Sequence, residues 1–297
     1  MRHYPAKLLL FGEHLLLTGA PALAVPVPAY FGQWGRNAAA IGKQKRLLDF
    51  AQSEALASVP GMDAEAFRQH LAKGLVLESN IPAGYGLGSS GALCAAIYDT
   101  YCREKTTHLP TLKAHLAGME GFFHGSSSGI DPLTSYLDCP VLIEHGSEIS
   151  LPASQSWPRQ EQPLIFLLDS TLPRQTGPLV QWFLAQTREA DFAERLQRDL
   201  LPDHLRMVAA WLHAQPGGFW PALRQVSAFQ LEHLPPMIPP TLRALWTSSL
   251  EQTDFSLKIC GAGGGGFVLG FARSRAVLEP IERDYRVIFP FALPPEA

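Results

Sequence analysis

The stretch that decides the fold is Pro82-Ala83-Gly84-Tyr85-Gly86-Leu87-Gly88-Ser89-Ser90-Gly91. The apolar run Leu75–Ser79 before it predicts a strand, and the small and apolar residues of Ala92–Tyr101 after it predict a helix. Its glycines remove side chains and permit positive φ, so main-chain N–H groups can turn toward an anion. The positive end of the helix points at the same place. The stretch therefore predicts either a phosphate site or a plain tight turn, and by itself it does not separate the two.

This loop differs from the two best-known phosphate-binding loops. No Gly-Lys-Ser/Thr follows, so it is not a Walker A loop. Gly86–Gly91 fits the spacing G-x-G-x-x-G, but no acidic residue closes a following strand, which disfavours a nicotinamide-dependent enzyme. Ser89 and Ser90 add hydroxyl groups that suit a phosphate oxygen or a hard cation.

Composition excludes several classes of protein. The chain has 297 residues, of which 46% are hydrophobic, so it is not disordered, and its length suits two packed lobes. Lys and Arg number 24 against 27 Asp and Glu, and no basic tract is present, which argues against nucleic-acid binding. The four cysteines form no Cys-x-x-Cys pair, so neither a zinc cage nor a disulfide framework is indicated, and reduced thiols are expected.

No membrane segment is predicted. Glu13 and His14 interrupt the apolar residues near the N-terminus, so no signal-peptide core forms there. No other run reaches the ~20 apolar residues that a membrane helix needs. We therefore expect a soluble, cytoplasmic protein without membrane contact.

Strand-like and helix-like segments alternate along the chain, which predicts an α+β protein. The polar, proline-bearing segment 150–163 predicts the boundary between two lobes. Strands are predicted at Lys7–Phe11, Ala22–Val27, Val141–Ile143, Leu164–Leu168, Leu257–Ile259 and Phe267–Phe271, and further helices at Lys45–Ser58, Asp63–Gly74, Leu112–Phe123, Leu179–Gln197, His204–Ala214 and Thr241–Ser249.

Four other features have either a purely structural or a functional interpretation. Gly261–Gly266 is too glycine-rich for ordinary structure, and its place between two apolar runs favours close approach of the backbone to a ligand or a loop. Asp131 before Pro132 reads locally as a helix N-cap. Glu120 reads as part of a solvated helix face. Lys7 opens an apolar strand, where a charge either has a function or reaches past the strand edge to water.

Three motifs together resemble the GHMP kinases, a family named for galactokinase, homoserine kinase, mevalonate kinase and phosphomevalonate kinase. The first motif is Pro5-Ala6-Lys7-Leu8-Leu9-Leu10-Phe11-Gly12-Glu13-His14 with Gly19–Ala24, the second is Pro82–Ser90, and the third is Lys258–Gly266. Two further stretches, His124–Asp131 and Thr171–Thr176, resemble the mevalonate kinase branch. Ala6, Phe267 and the short region between the first two motifs depart from the family pattern.

The resemblance implies a fold of two α+β lobes. Residues 1–155 would form the N-terminal lobe, similar to ribosomal protein S5 domain 2, with the ATP phosphate loop and the catalytic aspartate. Residues 156–297 would form a ferredoxin-like C-terminal lobe with the glycine-rich third motif.

The resemblance also implies a role for individual residues. Asp131 would accept the proton of the acceptor hydroxyl, and Lys7 would lie beside it. Ser90 and Glu120 would hold Mg²⁺. Residues expected to bind ATP are Pro82, Gly84, Gly86, Leu87, Gly88, Ser89 and Ser90, those near the acceptor are Glu13, His14 and Thr176, and those that support the loop are Gly263 and Gly264.

The activity implied is phosphorylation of a small alcohol by ATP and Mg²⁺, with (R)-mevalonate as the first choice and 5-phosphomevalonate as product in isoprenoid precursor synthesis. A sugar kinase or phosphomevalonate kinase is the alternative, favoured by the short region between motifs. A non-catalytic ligand-binding protein of the same fold is a third reading, and the presence of Lys7, Ser90, Glu120 and Asp131 argues against it. The expected partners are ATP and the alcohol, and a homodimer stays open.

Overall fold

The computed structural model describes residues 2–125, 127–144, 148–153, 157–158, 161–174 and 176–291. The chain divides into two compact units. The first unit comprises Met1–Leu8, Ala24–Ala83 and Leu87–Val141, and the second comprises Leu9–Leu23, Gly84–Gly86 and Leu142–Ala297. The predicted lobe boundary between residues 155 and 156 lies outside the described residues.

The described strands form two sheets. One has the order β1-β2-β4-β5 with β3 paired to β2, and the other has the order β7-β8-β6-β9 with antiparallel neighbours. The strands are β1 Tyr4–Phe11, β2 Ala22–Arg36, β3 Leu75–Ser79, β4 Val141–Ile143, β5 Ile149–Ser150, β6 Leu164–Asp169, β7 Phe255–Ile259, β8 Phe267–Ala272 and β9 Val287–Ile288.

Helices alternate with these strands, so the predicted α+β class is confirmed. The α-helices are α1 Lys45–Ala51, α2 Glu54–Ala57, α3 Ala64–Ala72, α4 Ser89–Tyr101, α5 Leu109–His124, α6 Ile130–Leu137, α7 Thr176–Gln186, α8 Ala190–Arg195, α9 Leu201–Leu212, α10 Pro216–His233, α11 Arg243–Leu250 and α12 Glu279–Asp284. Short 3₁₀ turns lie at Leu15–Thr18, Ala38–Ala40, Pro235–Met237, Pro240–Leu242 and Ala276–Leu278, and a π-helical turn lies at Leu196–Leu200.

Glycines let three helices of the first unit approach closely. A Cβ on Gly91 in α4 would lie 2.9 Å from the Asp131 carbonyl carbon, at the start of α6. A Cβ on Gly129, just before α6, would lie 2.6 Å from the Lys113 carbonyl oxygen in α5. The packing of α4, α5 and α6 therefore requires glycine at both positions.

An aromatic cluster forms part of the core of the second unit. The rings of Phe11, Trp211, Phe219 and Phe271 lie 5.4–6.2 Å apart between centroids. Offset and edge-on pairs at such distances add to the free energy gained by burying the rings. This cluster packs strand β8 against helices α9 and α10.

Two helix predictions were wrong in part, and one helix was not predicted. Lys45–Ser58 is two helices, because the Ser53 side chain caps the second by accepting from Leu56 N. Leu179–Gln197 breaks after Gln186, where the Thr187 hydroxyl donates to the Leu184 carbonyl and competes with the helix. Helix α10 was not predicted. It contains Pro221, and burial of Phe219 and Leu223 outweighs the cost of a proline inside a helix. No described helix is both long and apolar enough to span a membrane.

Candidate active site

A lysine and an aspartate that are distant in sequence form an ion pair within the first unit. Lys7 Nζ on β1 lies 2.9 Å from Asp131 Oδ1 in the first turn of α6. The Lys7 side chain is 7% exposed, whereas that of Asp131 is 26% exposed, so one face of the carboxylate stays open to a ligand. The N-cap of α6 is Gly129 with φ +74°, so the local reading of Asp131 as an N-cap was wrong.

The end of the glycine loop lies against this ion pair. Lys7 N donates to Leu87 O at 2.9 Å, which ties β1 to the loop. A Cβ on Gly88 would lie 3.0 Å from Lys7 Cγ and 3.3 Å from Asp131 Oδ2, at φ +75°. Gly88 therefore leaves room beside both charged groups that any other residue would fill.

Helix α4 begins directly after Gly88 and has no side-chain cap. The first helical hydrogen bond runs from Ala92 N to Gly88 O, so the amides of Ser89, Ser90 and Gly91 have no partner within the helix. Ser89 is exposed at this end and Ser90 is half-buried. Uncapped amides at a helix N-terminus are donors for an anion such as phosphate.

A chain of hydrogen bonds leads from Ser90 to α5 and the loop after it. Ser90 Oγ donates to Glu120 Oε1 at 2.7 Å, and Ser127 Oγ donates to Glu120 Oε2 at 2.5 Å. The Ser90 hydroxyl proton is already donated to Glu120, so Ser90 Oγ acts as the acceptor for His124 Nε2, which lies 2.9 Å away. Ser127 Oγ also accepts from Gly129 N, at the start of α6. The sequence did not point to Ser127 as part of this site.

Glu120 is 5% exposed, so the reading of a solvated helix face was wrong. Burial, and next the charge of Asp131, raise its pKa from 4.5 to about 7, although both serine hydroxyls act to lower it. Burial also lowers the pKa of His124, with Arg46 as a smaller cause. A cation bound close to Glu120 would favour its charged form.

Ser90 and Glu120 offer a hydroxyl and a carboxylate, which are hard oxygen donors of the kind that Mg²⁺ prefers. In the part of the chain that the structure describes, no group of three or more His, Cys, Asp or Glu is placed to hold a metal ion. In nucleotide sites Mg²⁺ commonly takes one or two protein oxygens and completes its shell with phosphates and water. The pair therefore fits a Mg²⁺ that arrives with a nucleotide.

The second unit contains the residues predicted near the acceptor. Glu13 forms an ion pair with Lys258 on β7, and both groups are buried. His14 Nε2 lies 3.0 Å from Ala262 O in the third motif, and the ring is 5.0 Å from that of Phe183. Thr176 is exposed at the first position of α7, and the described hydrogen bonds include none from it to His14.

His14 is held neutral in an uncommon conformation. Its φ is +60°, which is rare for a residue with a side chain. Burial, together with the charge of Arg174, lowers its pKa to about 4 against the opposing effect of the Ala262 carbonyl. Since that carbonyl can only accept, Nε2 carries the proton and Nδ1 is left as an acceptor. A hydroxyl group is a suitable partner for such a nitrogen.

The third motif packs against the middle of the glycine loop, whose residues Gly84–Gly86 belong to the second unit. A Cβ on Gly266 would lie 3.1 Å from Tyr85 Cα, and the Tyr85 and Phe267 rings are 4.7 Å apart. The two residues predicted to support the loop have other neighbours: Gly263 lies against Met237, and Gly264 N donates to Met237 O.

One guanidinium lies between the two glycine-rich segments. Arg174 Nη1 would be 2.1 Å from a Cβ on Gly86 and 2.6 Å from one on Gly261. It is also 3.5 Å from Cys260 O. The stretch around Arg174 was noted in the sequence, but the arginine itself was not assigned a role. Both glycines have positive φ and leave the space that the guanidinium fills.

Comparison with known proteins agrees with the motifs. Residues 54–138 match the family model described as the GHMP kinases N terminal domain. The mevalonate kinase of Thermococcus sibiricus is 32% identical over 174 residues, which cover 50% of this chain and 52% of that protein. The mevalonate kinase of Archaeoglobus fulgidus is 24% identical over an alignment 321 positions long, which covers 95% of this chain and 98% of that protein.

A solved structure supports the same fold. The L. major mevalonate kinase in complex with R-mevalonate superposes with a TM-score of 0.65 at 16% identity, over 98% of this chain and 96% of that one. In the alignments with Thermococcus and Pyrococcus relatives, however, the chain spans about half the length of the curated relatives it matches. The resemblance predicted from the motifs is thereby confirmed: the chain is similar to the GHMP kinases, mevalonate kinases among them, and it has their α+β fold.

Proposed function

We propose that the chain is an ATP- and Mg²⁺-dependent kinase that phosphorylates a small-molecule alcohol, and that the alcohol is (R)-mevalonate. The observation that carries the proposal is the Lys7–Asp131 ion pair beside Gly88, with Ser90 and Glu120 hydrogen-bonded next to it. Similarity to mevalonate kinases supports the choice of acceptor, whose product would be 5-phosphomevalonate, an isoprenoid precursor.

Phosphoryl transfer needs positioning and charge neutralisation more than covalent chemistry. Asp131 accepts the proton of the acceptor hydroxyl through the open face of its carboxylate. Lys7 fixes that carboxylate at 2.9 Å and contributes positive charge where the phosphoryl group passes. A loose transition state asks for little base strength, so orienting the hydroxyl is the main task of Asp131.

The phosphates of ATP are assigned to the glycine loop. The amides of Ser89 and Ser90, which have no partner within α4, donate to phosphate oxygens. The absence of a side chain at Gly88 admits the transferred group to the ion pair. Ser90 and Glu120 hold Mg²⁺, which when bound neutralises phosphate charge. A cation held there would also offset the negative charge of the buried Glu120.

The acceptor is assigned to Glu13, His14 and Thr176 of the second unit. The unprotonated Nδ1 of His14 accepts from a hydroxyl of the alcohol.

A cytoplasmic location and a homodimer belong to the same proposal. A measurement of molecular mass in solution tests the homodimer.

The test is turnover of the purified chain with ATP, Mg²⁺ and four separate acceptors. These are (R)-mevalonate, phosphomevalonate, galactose and homoserine, and ADP release is the readout. We expect ADP release with mevalonate. Release only with galactose or phosphomevalonate would favour the alternative kinases, and ATP binding without turnover on any acceptor would indicate a binding protein.

A further inference from the structure

Two buried polar contacts tie the Gly12–His14 turn to the segment that carries the third motif. Lys258 Nζ is paired with Glu13 Oε1, and His14 Nε2 contacts Ala262 O. The Lys258 side chain is 0% exposed and that of Glu13 is 2% exposed, so neither charge is hydrated. Ions removed from water in this way persist only where they are paired and hydrogen-bonded.

The ammonium group of Lys258 lies in the protein interior. Nζ also donates to Ile259 O at 3.1 Å and lies 5.9 Å from the centre of the Phe11 ring. It is thus enclosed by Glu13, a carbonyl and an aromatic face. A group so enclosed does not touch a substrate, and any effect it has on the reaction passes through its neighbours, Glu13 among them.

The turn that Glu13 belongs to needs outside support. Gly12 has φ +100° and His14 has φ +60°, and the latter is strained for a residue with a Cβ. A Cβ on Gly12 would lie 2.4 Å from the Ala22 Cβ, so the turn is also tightly packed. Strained backbone of this kind is held by the contacts around it, and the Lys258–Glu13 pair is a charged contact among them.

We propose that Lys258 is a positioning residue for the acceptor end of the site. It anchors Glu13, and through Glu13 it fixes the strained turn that presents His14. The inference rests on the proposed function, in which Glu13 and His14 contact the acceptor alcohol. Binding of ATP is assigned to other residues, so it should be independent of Lys258.

The test separates the two substrates. Lys258→Met keeps the length of the side chain but removes the cation that is paired with the buried Glu13. We expect KM for the acceptor to rise at least about tenfold and KM for ATP to stay within about twofold of wild type. Lys258→Arg restores the charge, and we expect it to recover part of the lost acceptor affinity.

A double variant shows whether Lys258 acts through Glu13. Glu13→Gln should raise the acceptor KM by itself, and adding Lys258→Met to it should change that value little, because the partner charge is already gone. This double variant carries no buried charge at the pair. It therefore also replaces Lys258→Met in the test if the single variant does not fold.

Gln230→Leu is the matched control. Gln230 is buried on α10, and its Oε1 accepts from Ile259 N at 2.9 Å, one residue from Lys258 and without touching Glu13 in the described hydrogen bonds. It should lower stability without a preferential rise in acceptor KM.

Three results would overturn the inference alone: equal rises in both KM values for Lys258→Met, additive effects in the double variant, or the same split in Gln230→Leu. A wild-type chain that turns over no acceptor would instead overturn the proposed function, and this inference with it.

Discussion

Replacing Glu120 by glutamine tests the electrostatics of the site without any substrate. Burial and the charge of Asp131 raise the pKa of Glu120 to about 7 in the folded chain, from an ordinary value of 4.5. That difference corresponds to about 3 kcal/mol in the free energy of unfolding. Glutamine has a similar size and can exchange hydrogen bonds with Ser90 and Ser127, but it carries no charge to desolvate.

The direction of the effect follows from proton binding in the two states. Well below pH 4.5 the carboxyl is protonated whether the chain is folded or unfolded, and the raised pKa has no effect. As pH rises through the interval up to about 7, the unfolded chain loses this proton while the folded chain retains it, so wild-type stability falls. The variant lacks this fall. Its stability relative to wild type should therefore increase by up to about 3 kcal/mol between about pH 5 and about pH 8.

The assay is urea unfolding followed by circular dichroism at several pH values, in the presence of a chelator so that no divalent cation binds Glu120. Titrations shared by both proteins, such as that of His14, cancel in the difference. Glu65→Gln is the matched control, because the Glu65 side chain is 54% exposed. It measures the effect of replacing an exposed carboxylate by an amide, without the burial that raises the pKa of Glu120. A Glu120→Gln difference that is constant, or that shrinks as pH rises, would refute the reasoning.

Two further substitutions test the geometry around the ion pair. Gly88→Ala puts a Cβ 3.0 Å from Lys7 Cγ and 3.3 Å from Asp131 Oδ2, so kcat should fall at least about tenfold. Gly42→Ala has a similar positive φ but meets no atom within 4 Å, so it should cost ~1 kcal/mol of stability and leave kcat unchanged; equal kcat in the two variants would contradict the crowding argument. Ser127→Ala removes a hydrogen bond that lowers the pKa of Glu120, so the acid limb of the pH profile of kcat/KM should move to higher pH, and an unmoved limb would exclude Glu120 from that titration.

The sequence predicted the glycine loop and its flanking elements well, because local signals specify them. The strand Leu75–Ser79 and a helix after the loop are both present, although α4 begins at Ser89 rather than Ala92. Gly88 and Gly91 are needed for reasons that the sequence alone did not give: one leaves space beside Lys7, and the other lets α4 meet α6. Such contacts depend on residues distant in the chain.

The positions of the charged residues depend on contacts with parts of the chain that are distant in sequence. Local preference favoured Asp131 as an N-cap, but Gly129 takes that position and frees Asp131 to face Lys7. Helical periodicity placed Glu120 on a solvated face, whereas Ser90 and Ser127 enclose it.

Lys258 was missed as a partner for Glu13, although a signal was present. It lies inside an apolar strand, as Lys7 does. A buried charge there is stable only with a partner of opposite charge. The identity of that partner is not contained in the local sequence.

The most direct test of the central claim is Asp131→Asn. Asparagine keeps the shape of the side chain but neither accepts the hydroxyl proton nor pairs its charge with Lys7. We predict that kcat with the preferred acceptor falls about 10²- to 10⁴-fold while the Kd for ATP stays near that of wild type. The variant should still unfold cooperatively but with lower stability, because the largely buried Lys7 loses its partner. Near-wild-type kcat in a folded variant that binds ATP would contradict the claim that Lys7 and Asp131 carry out the transfer.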